Sequence, residues 1–374
     1  MTSHPPDTSS LGRVPADAQH WLALSRLPGI GRVAFLKIVQ AYGSPKAAWD
    51  HSDSDWKNEG VVRTGFDSSG TRDSALAWAE EQIAALTRSE WSLVPIGDPR
   101  YPQPLTVLTH PPPFLFLRGT VPDAPALAVV GARQATEYGA RMTREIVAVL
   151  AAAGLTIVSG FARGIDTIAH TAALEAGAPT VAVWGCGPDI LYPTENRALV
   201  DRIAAQGLLV TEFPFGTAPE PHNFPIRNRL IAGLADGVLV MQARKKSGAL
   251  LTARHAVEQG KNVYAIPGEL GHPQYVGSHE LLKEGARIIT SADDILADYD
   301  LAPAPRPSGP PPRLPALTDI EHKVFTGLGG SPCHIDRLAV SLGVSAGECA
   351  RVLVLLELKG LVRRSAGNMI SRAI

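Results

Sequence analysis

Between about residues 126 and 289 the chain alternates short, unbroken apolar runs with helical stretches, and this pattern limits the fold more than any other feature. The runs are 127–131 (LAVVG), 155–159 (LTIVS), 180–184 (TVAVW), 208–211 (LLVT), 237–241 (GVLVM), 262–266 (NVYAI) and 287–289 (RII). A strand with no polar alternation is one covered on both faces, as in parallel sheets flanked by helices. Helical patterns fill 136–154, 164–177 and 249–260 between them. Strand and helix in turn at this spacing predict an α/β domain over 126–300, an extended Rossmann-like, doubly wound parallel sheet. Ligands of such sheets sit at the carboxyl ends of the strands. The loops at those ends are therefore where function is sought.

The 374 residues are too many for one small core. Residues 1–15 are polar and rich in Pro, and a disordered tail is expected there. The pattern over 16–92 is helical and predicts a small all-α N-terminal domain, SAM-like or helix-hairpin-helix-like. Its 27-LPGIG-31 turn would present backbone N–H groups to a phosphate; a plain helical-bundle turn is the competing reading. Residues 93–125 are dense in Pro, contain short β-like pieces such as 114-FLFLRG-119, and read as an extended connector. After the α/β domain comes 301–315, a Pro-rich linker. Over 316–374, three helical patterns and a β-ribbon predict a C-terminal winged helix. It carries seven Lys and Arg against five Asp and Glu. That small surplus leaves both duplex DNA and a partner protein open as its target.

A formal net charge of −1 says nothing for or against nucleic acid, so a basic surface must come from local placement. Cys186, Cys333 and Cys349 stand far apart with no CxxC and no matching His spacing, which predicts a reduced, cytoplasmic protein with no metal site. No apolar run approaches the roughly 20 residues that span a bilayer, and no membrane partner is expected. No cofactor is expected either.

Four strand-end loops carry the candidate chemistry. The first, 130-VGARQATEYG-139, has Arg133 where a dinucleotide fingerprint needs Gly, which argues against NAD or FAD and for a phosphate held directly. In the second, 159-SGFARGIDTIAH-170, Ser159, Gly160 and Gly164 keep the turn tight and Arg163 adds charge. Asp166 and His170 share a helix face there; with no nucleophile motif beside them, they read as structural. The third, 185-GCGPDILYPTENR-197, ends in Arg197. The fourth runs from 222-HNFPIRNR-229, read as a loop holding Phe224, Arg227, Asn228 and Arg229, into a strand and then 244-RKKSG-248. There Lys245, Lys246, Ser247 and Gly248 open a helix with Thr252 in its first turns. A helix start after a buried strand offers free N–H groups and a positive dipole end to an anion. These loops supply many cations and an aromatic ring but no organised acid, base and nucleophile. No catalytic residue is expected, and the pattern suits an unpaired nucleic-acid strand.

The segments SGxARGIDxxAH, GxGxDxxYPxxN, FPxRNRxIAGL, SGxLxTAxxA and VxAxPG occur in this order. In this the chain resembles the family of the DNA-processing protein DprA, also called Smf. The resemblance is strongest over about 126–290. It implies a Rossmann-type homodimer that binds single-stranded DNA, loads the RecA recombinase on incoming DNA in natural transformation, and eases displacement of single-strand-binding protein. Arg133 matches the family's DNA-contacting position in the first loop, and Phe224, Arg227 and Arg229 lie in its FPxRNR segment. Lys245 and Lys246 precede its SG turn. Thr194 stands where some members carry Lys, and Glu220 where some relatives are basic. Two other classes compete. A nucleotide-processing hydrolase on a related core would carry PGGxGTxxE, which is absent. A duplex-DNA regulator would act through the winged helix.

Overall fold

The computed structural model of the chain describes residues 12–302, 317–329, 333–365 and 367–372. Residues 1–11 of the expected tail and 303–315 of the expected linker lie outside them. Two compact units divide the chain, Met1–Ala304 and Pro305–Ile374.

The first unit opens with α1 (Ala18–Arg26), α2 (Arg32–Tyr42), α3 (Pro45–Trp49), α4 (Asp53–Asn58) and α5 (Arg72–Thr87). Their ends follow local chemistry. Ser44 caps α3 with Pro45 behind it, and Ser52 and Asp55 form a reciprocal capping box on α4. Next come β1 (Ser92–Pro95), β2 (Phe114–Gly119), β3 (Ala126–Gly131), α6 (Glu137–Ala152), β4 (Thr156–Ser159), α7 (Ile165–Glu175), β5 (Thr180–Val183), α8 (Arg197–Gln206) and β6 (Leu208–Thr211). The unit ends with α9 (Asn223–Gly233), β7 (Gly237–Gln242), α10 (Gly248–Glu258), β8 (Asn262–Ala265), α11 (Val276–Lys283), β9 (Arg287–Ile288) and α12 (Asp293–Leu296).

One sheet of nine strands runs in the order β1-β2-β6-β5-β4-β3-β7-β8-β9. From β6 to β9 every pairing is parallel; β1 and β2 add antiparallel pairs at one edge. The chain winds outward from β3 in one direction, then resumes at β7 on its other side. The switch point therefore lies between β3 and β7. Each strand feeds both faces with period two. In β3, Leu127 and Val129 pack with α6 and α7, while Ala128 and Val130 pack with α9 and α10. The expected doubly wound sheet is present, with an antiparallel margin.

That margin changes the reading of 93–125. The segment is not only a connector, because 114-FLFLRG-119 forms β2 beside β6. Trp21, Phe35 and Trp56 of the N-terminal helices share one buried cluster with Phe114, Phe116, Trp184 and Leu209. Apolar residues on both sides of the expected boundary thus join a common core, and residues 12–95 do not stand apart from the sheet. Arg13 also belongs here, since its carbonyl accepts from Leu93 N at 2.9 Å.

The second unit consists of α13 (Asp319–Gly327), β10 (Cys333–His334), α14 (Ile335–Leu342), α15 (Ala346–Leu358), β11 (Val362–Ser365) and β12 (Met369–Arg372). Its sheet runs β10-β12-β11. Three helices with this ribbon make the expected winged helix. Its core is Val324, Leu338, Val352, Leu353, Leu356 and Ile370. Among the described residues no single helix is long and apolar enough to cross a membrane.

Candidate nucleic-acid interface

A cleft of about 560 Å³ opens over the switch point. Its wall on one side is the loop after β3, with Arg133 and Gln134; on the other it is the loop after β7, with Arg244, Lys246 and Ser247. Ala162 and Arg163 come from the loop after β4, and Gly248, Ala249 and Thr252 from the first turns of α10. Phe224, Arg227, Asn228 and Ile231 complete it.

These last four explain how α9 serves the site. Their spacing is i, i+3, i+4, i+7, the stripe one helix face presents. The 222–229 segment is therefore not a loop: α9 begins at Asn223 and takes Pro225 into its first turn, where a missing N–H costs nothing. The Phe224 ring is packed at 5.9 Å centroid distance from Tyr192. Above it lies the Arg133 guanidinium at 4.9 Å, and Arg227 approaches at 5.8 Å. A cation over a ring face is attracted by its quadrupole, so Phe224 is a platform that orients two arginines.

Arg227 is only 4% exposed and forms part of the floor. It donates to the carbonyls of Gly160 and Val183, and through Nε to Asn228 Oδ1 at 3.1 Å. Asn228 in turn donates to the Gly248 carbonyl at 3.1 Å, tying α9 to the start of α10. Burial draws the Arg227 pKa down to about 10, and Asp166, the nearest acid, partly offsets this. Burial pushes Asp166 up to about 6 against the pull of Arg227. Gly160 lies between the two: a Cβ there would stand 2.8 Å from both Arg227 Nη2 and Asp166 Oδ2.

Ser247 caps α10, its hydroxyl accepting from Ala249 N at 3.3 Å. Arg244 donates to Gln274 at 2.8 Å, and Gln274 to the Gln134 carbonyl at 3.1 Å, so the two walls are joined at one end. Gly164 locks the loops after β3 and β4 together. It has φ +77°, and a Cβ would come 2.3 Å from the Ala132 carbonyl oxygen, so only glycine fits.

Of the residues singled out in the sequence, Arg133, Arg163, Phe224, Arg227, Asn228, Lys246, Ser247, Gly248 and Thr252 line the cleft. Others do not. Ser159 is buried and donates to the Val129 carbonyl at 2.6 Å. Arg197 is exposed at the start of α8 and outside the lining. Arg229 points away from the cleft, because two residues along a helix are about 200° apart; it pairs with Glu212. Lys245 is exposed beside the rim, 3.8 Å from Glu280. Another cation near the sheet, Lys261 before β8, is taken up by the last carbonyls of α9, Ala232 and Gly233, at 2.9 and 2.8 Å. Arg163 lines the cleft while bonded to Glu195 at 2.7 Å. Sequence reasoning missed Arg244, Gln134, Gln274 and the place of Asp166 in the floor. Only the basic run itself could have drawn attention to Arg244.

Asp166 and His170 do not form a catalytic pair. His170 bonds Thr180 Oγ1 at 2.7 Å, and burial lowers its pKa to about 3, so the ring is neutral. Among the described residues no group of three or more His, Cys, Asp or Glu could hold a metal ion.

The fold is thus a Rossmann-like α/β protein with an appended winged helix, and the cleft at its switch point is lined by cations from four separate segments. A family model for the DNA recombination-mediator protein A matches residues 92–300, and one for the DprA winged helix domain matches 308–368. Protein Smf of Synechocystis sp. is 32% identical, the alignment covering 96% of this chain and 99% of that protein. The DNA processing protein DprA of Streptococcus pneumoniae is 42% identical over 55% of this chain and 73% of its own length. The X-ray structure of that DprA superposes with a TM-score of 0.63 at 33% identity, covering 75% of this chain and 96% of that one. DNA processing protein A from Helicobacter pylori, described for its single-stranded DNA binding mode, gives 0.52 at 31% identity, covering 58% and 99%. The chain belongs to the DNA recombination-mediator protein A family, that of DprA and Smf.

Proposed function

We propose that this protein binds single-stranded DNA in the switch-point cleft and delivers it to the RecA recombinase, in recombination and in natural transformation. The observation that carries this reading is the convergence of Arg133, Arg163, Arg244 and Lys246 on one cleft over the start of α10. Exposed guanidinium and ammonium groups take phosphates and release their counterions, while the positive dipole end of the Ser247-capped α10 adds to the potential. The DNA-binding mode of the Helicobacter pylori relative supports the choice of ligand, and membership of a recombination-mediator family supports the choice of partner.

The cleft lacks what an enzyme of nucleotides would need. Its acid is one buried carboxyl beside an arginine, which supports a protein that acts by holding a strand rather than cutting it. It works in the cytoplasm, as a homodimer through its Rossmann-like unit, and displaces single-strand-binding protein by competing for the same strand. The winged helix is the poorer candidate for the strand. The helix in the recognition position, α15, exposes Val354, Leu355 and Leu358 at 45%, 41% and 81%. Apolar side chains there offer no donors to base edges or phosphates.

Titration of labelled oligo-dT and of a matched hairpin duplex with the full chain tests the proposal. The single strand is expected to bind more tightly. Its affinity should fall steeply between about 50 and 200 mM salt, with a slope of about −0.7 per phosphate engaged. Equal affinity for the duplex, or binding indifferent to salt, would refute it. On strand coated with single-strand-binding protein, the chain should shorten the lag before RecA assembles.

A further inference from the structure

Arg229, the second arginine of FPxRNR, leaves the cleft and meets a carboxylate on the opposite side of α9. Its Nη2 donates to Glu212 Oε2 at 2.5 Å, and its Nη1 to the His110 carbonyl at 3.0 Å. The same Glu212 oxygen accepts from Arg32, at 3.1 Å from Nε and 2.8 Å from Nη2. Glu212 follows the last residue of β6 and its side chain is 5% exposed; that of Arg229 is 15% exposed. Arg32 is the first residue of α2, directly after the LPGIG turn. One buried carboxylate thus joins β6 and α9 to α2, which lies 180 residues earlier in the chain.

We propose that Arg32, Glu212 and Arg229 are positioning residues for the cleft. Through Arg32 the N-terminal helices set the placement of α9, and with it Phe224 and Arg227, without touching the strand. The inference rests on the reading that the cleft is the strand site.

The geometry gives the reason. No side chain caps α9 at its start, so its rotation about its own axis must be fixed elsewhere. Arg227 holds one face through the carbonyls of Gly160 and Val183. Arg229, about 200° round, holds the other. Glu212 is the anchor of that second strut, and its remaining oxygen, Oε1, is buried without a partner among the described residues. The loss of Arg32 therefore leaves a buried carboxylate with one partner where it had two. The LPGIG turn, read as a possible phosphate loop, serves here as the base from which Arg32 reaches inward.

The test uses the full chain with Arg32→Met, which keeps an apolar stem and removes the fork. Affinity for oligo-dT should fall about five- to tenfold, a coupling typical of a residue outside the binding site. The salt slope should not change, because no phosphate contact is lost. Arg32→Lys should restore part of the affinity, since it returns the charge without the two-pronged donor. Asp53→Asn, which breaks the ion pair with Arg72 at 2.9 Å within the same helical region, serves as a destabilised control and should leave affinity unchanged. Arg133→Ala separates the two levels. Should it weaken binding while Arg32→Met does not, the positioning role is wrong and the cleft stands. Should neither variant matter, the cleft is wrong. A reduced salt slope in Arg32→Met would make Arg32 a phosphate contact and also overturn the inference.

Discussion

Replacing Arg133 and Lys246 together with alanine is expected to lower affinity for an unpaired strand by about a hundredfold at moderate salt. Both side chains are exposed, and they stand on opposite walls, after β3 and after β7. A cation about 4 Å from a phosphate near a protein surface gains up to about 4 kcal/mol before desolvation. A net of about 1.4 kcal/mol for each, one decade of affinity, is a restrained expectation. The salt slope should shrink by about 1.4, twice the single-strand increment of about 0.7. The loss should be nearly the same on oligo-dT, oligo-dA and mixed sequence, since phosphate contacts carry no sequence information. Thermal stability should barely change, as surface substitutions are usually worth within about 0.5 kcal/mol. Fluorescence anisotropy across a salt series, with a melting curve for each variant, reads all of this.

Arg227→Met should act very differently, by unfolding rather than by weakening a contact. It removes a 4%-exposed guanidinium that satisfies two carbonyls and faces Asp166. Breaking a buried charge arrangement by deleting one member costs about 3–5 kcal/mol. For a unit of this size that is a fall in Tm of roughly 10 °C. A loss of DNA binding in this variant cannot then be counted as a lost phosphate contact. The companion measurement is pH. Folded Asp166 titrates near 6 rather than at its ordinary 3.8 because it is buried. Between those values the folded state holds a proton that the unfolded state has released. Stability from this group is therefore full at the acid end and declines as pH rises through about 6. Asp166→Asn should remove that decline, and combined with Arg227→Met it should recover part of the lost Tm. Arg227→Met alone should be least unstable in mild acid, where Asp166 is neutral. A Tm for Arg227→Met equal to that of the native chain would show that the residue is not part of the floor.

The strands were readable because their chemistry is local. Seven apolar runs match β3 to β9 closely; in β3 to β7 burial on both faces leaves no room for polar alternation, while the edge strand β9 is exposed and is legible only from its apolar residues. What failed was whatever depends on a neighbour distant in sequence. The FPIRNR segment has the look of a loop because Pro breaks helices and Asn favours turns, which outweighs the helix preference of its two arginines. Its helical register, Phe224, Arg227, Asn228 and Ile231, was present but weak without the strand ends it packs on. Reading α9 as a helix would have parted Arg227 from Arg229, since a spacing of two cannot put both on one face. In 93–125 the β-like run 114–119 is legible through the dense Pro, but nothing local shows that it pairs with β6 and joins the sheet. Nothing local sets Arg244 apart from Lys245, because its orientation is fixed by Gln274, thirty positions away. Asp166 and His170 do share a helix face, as their spacing requires, but Thr180 on β5 draws the imidazole away.

A strand lying over the switch point should leave a covalent mark there. Irradiating the full chain with an oligonucleotide carrying 5-iodouracil, then mapping the modified peptides, is the most direct test. Adducts are expected at Phe224, the cleft-lining ring beneath Arg133, and then at Tyr192, which packs against that ring. Adducts confined to residues 317–372, with none near β3 or β7, would contradict the placement of the strand in the cleft.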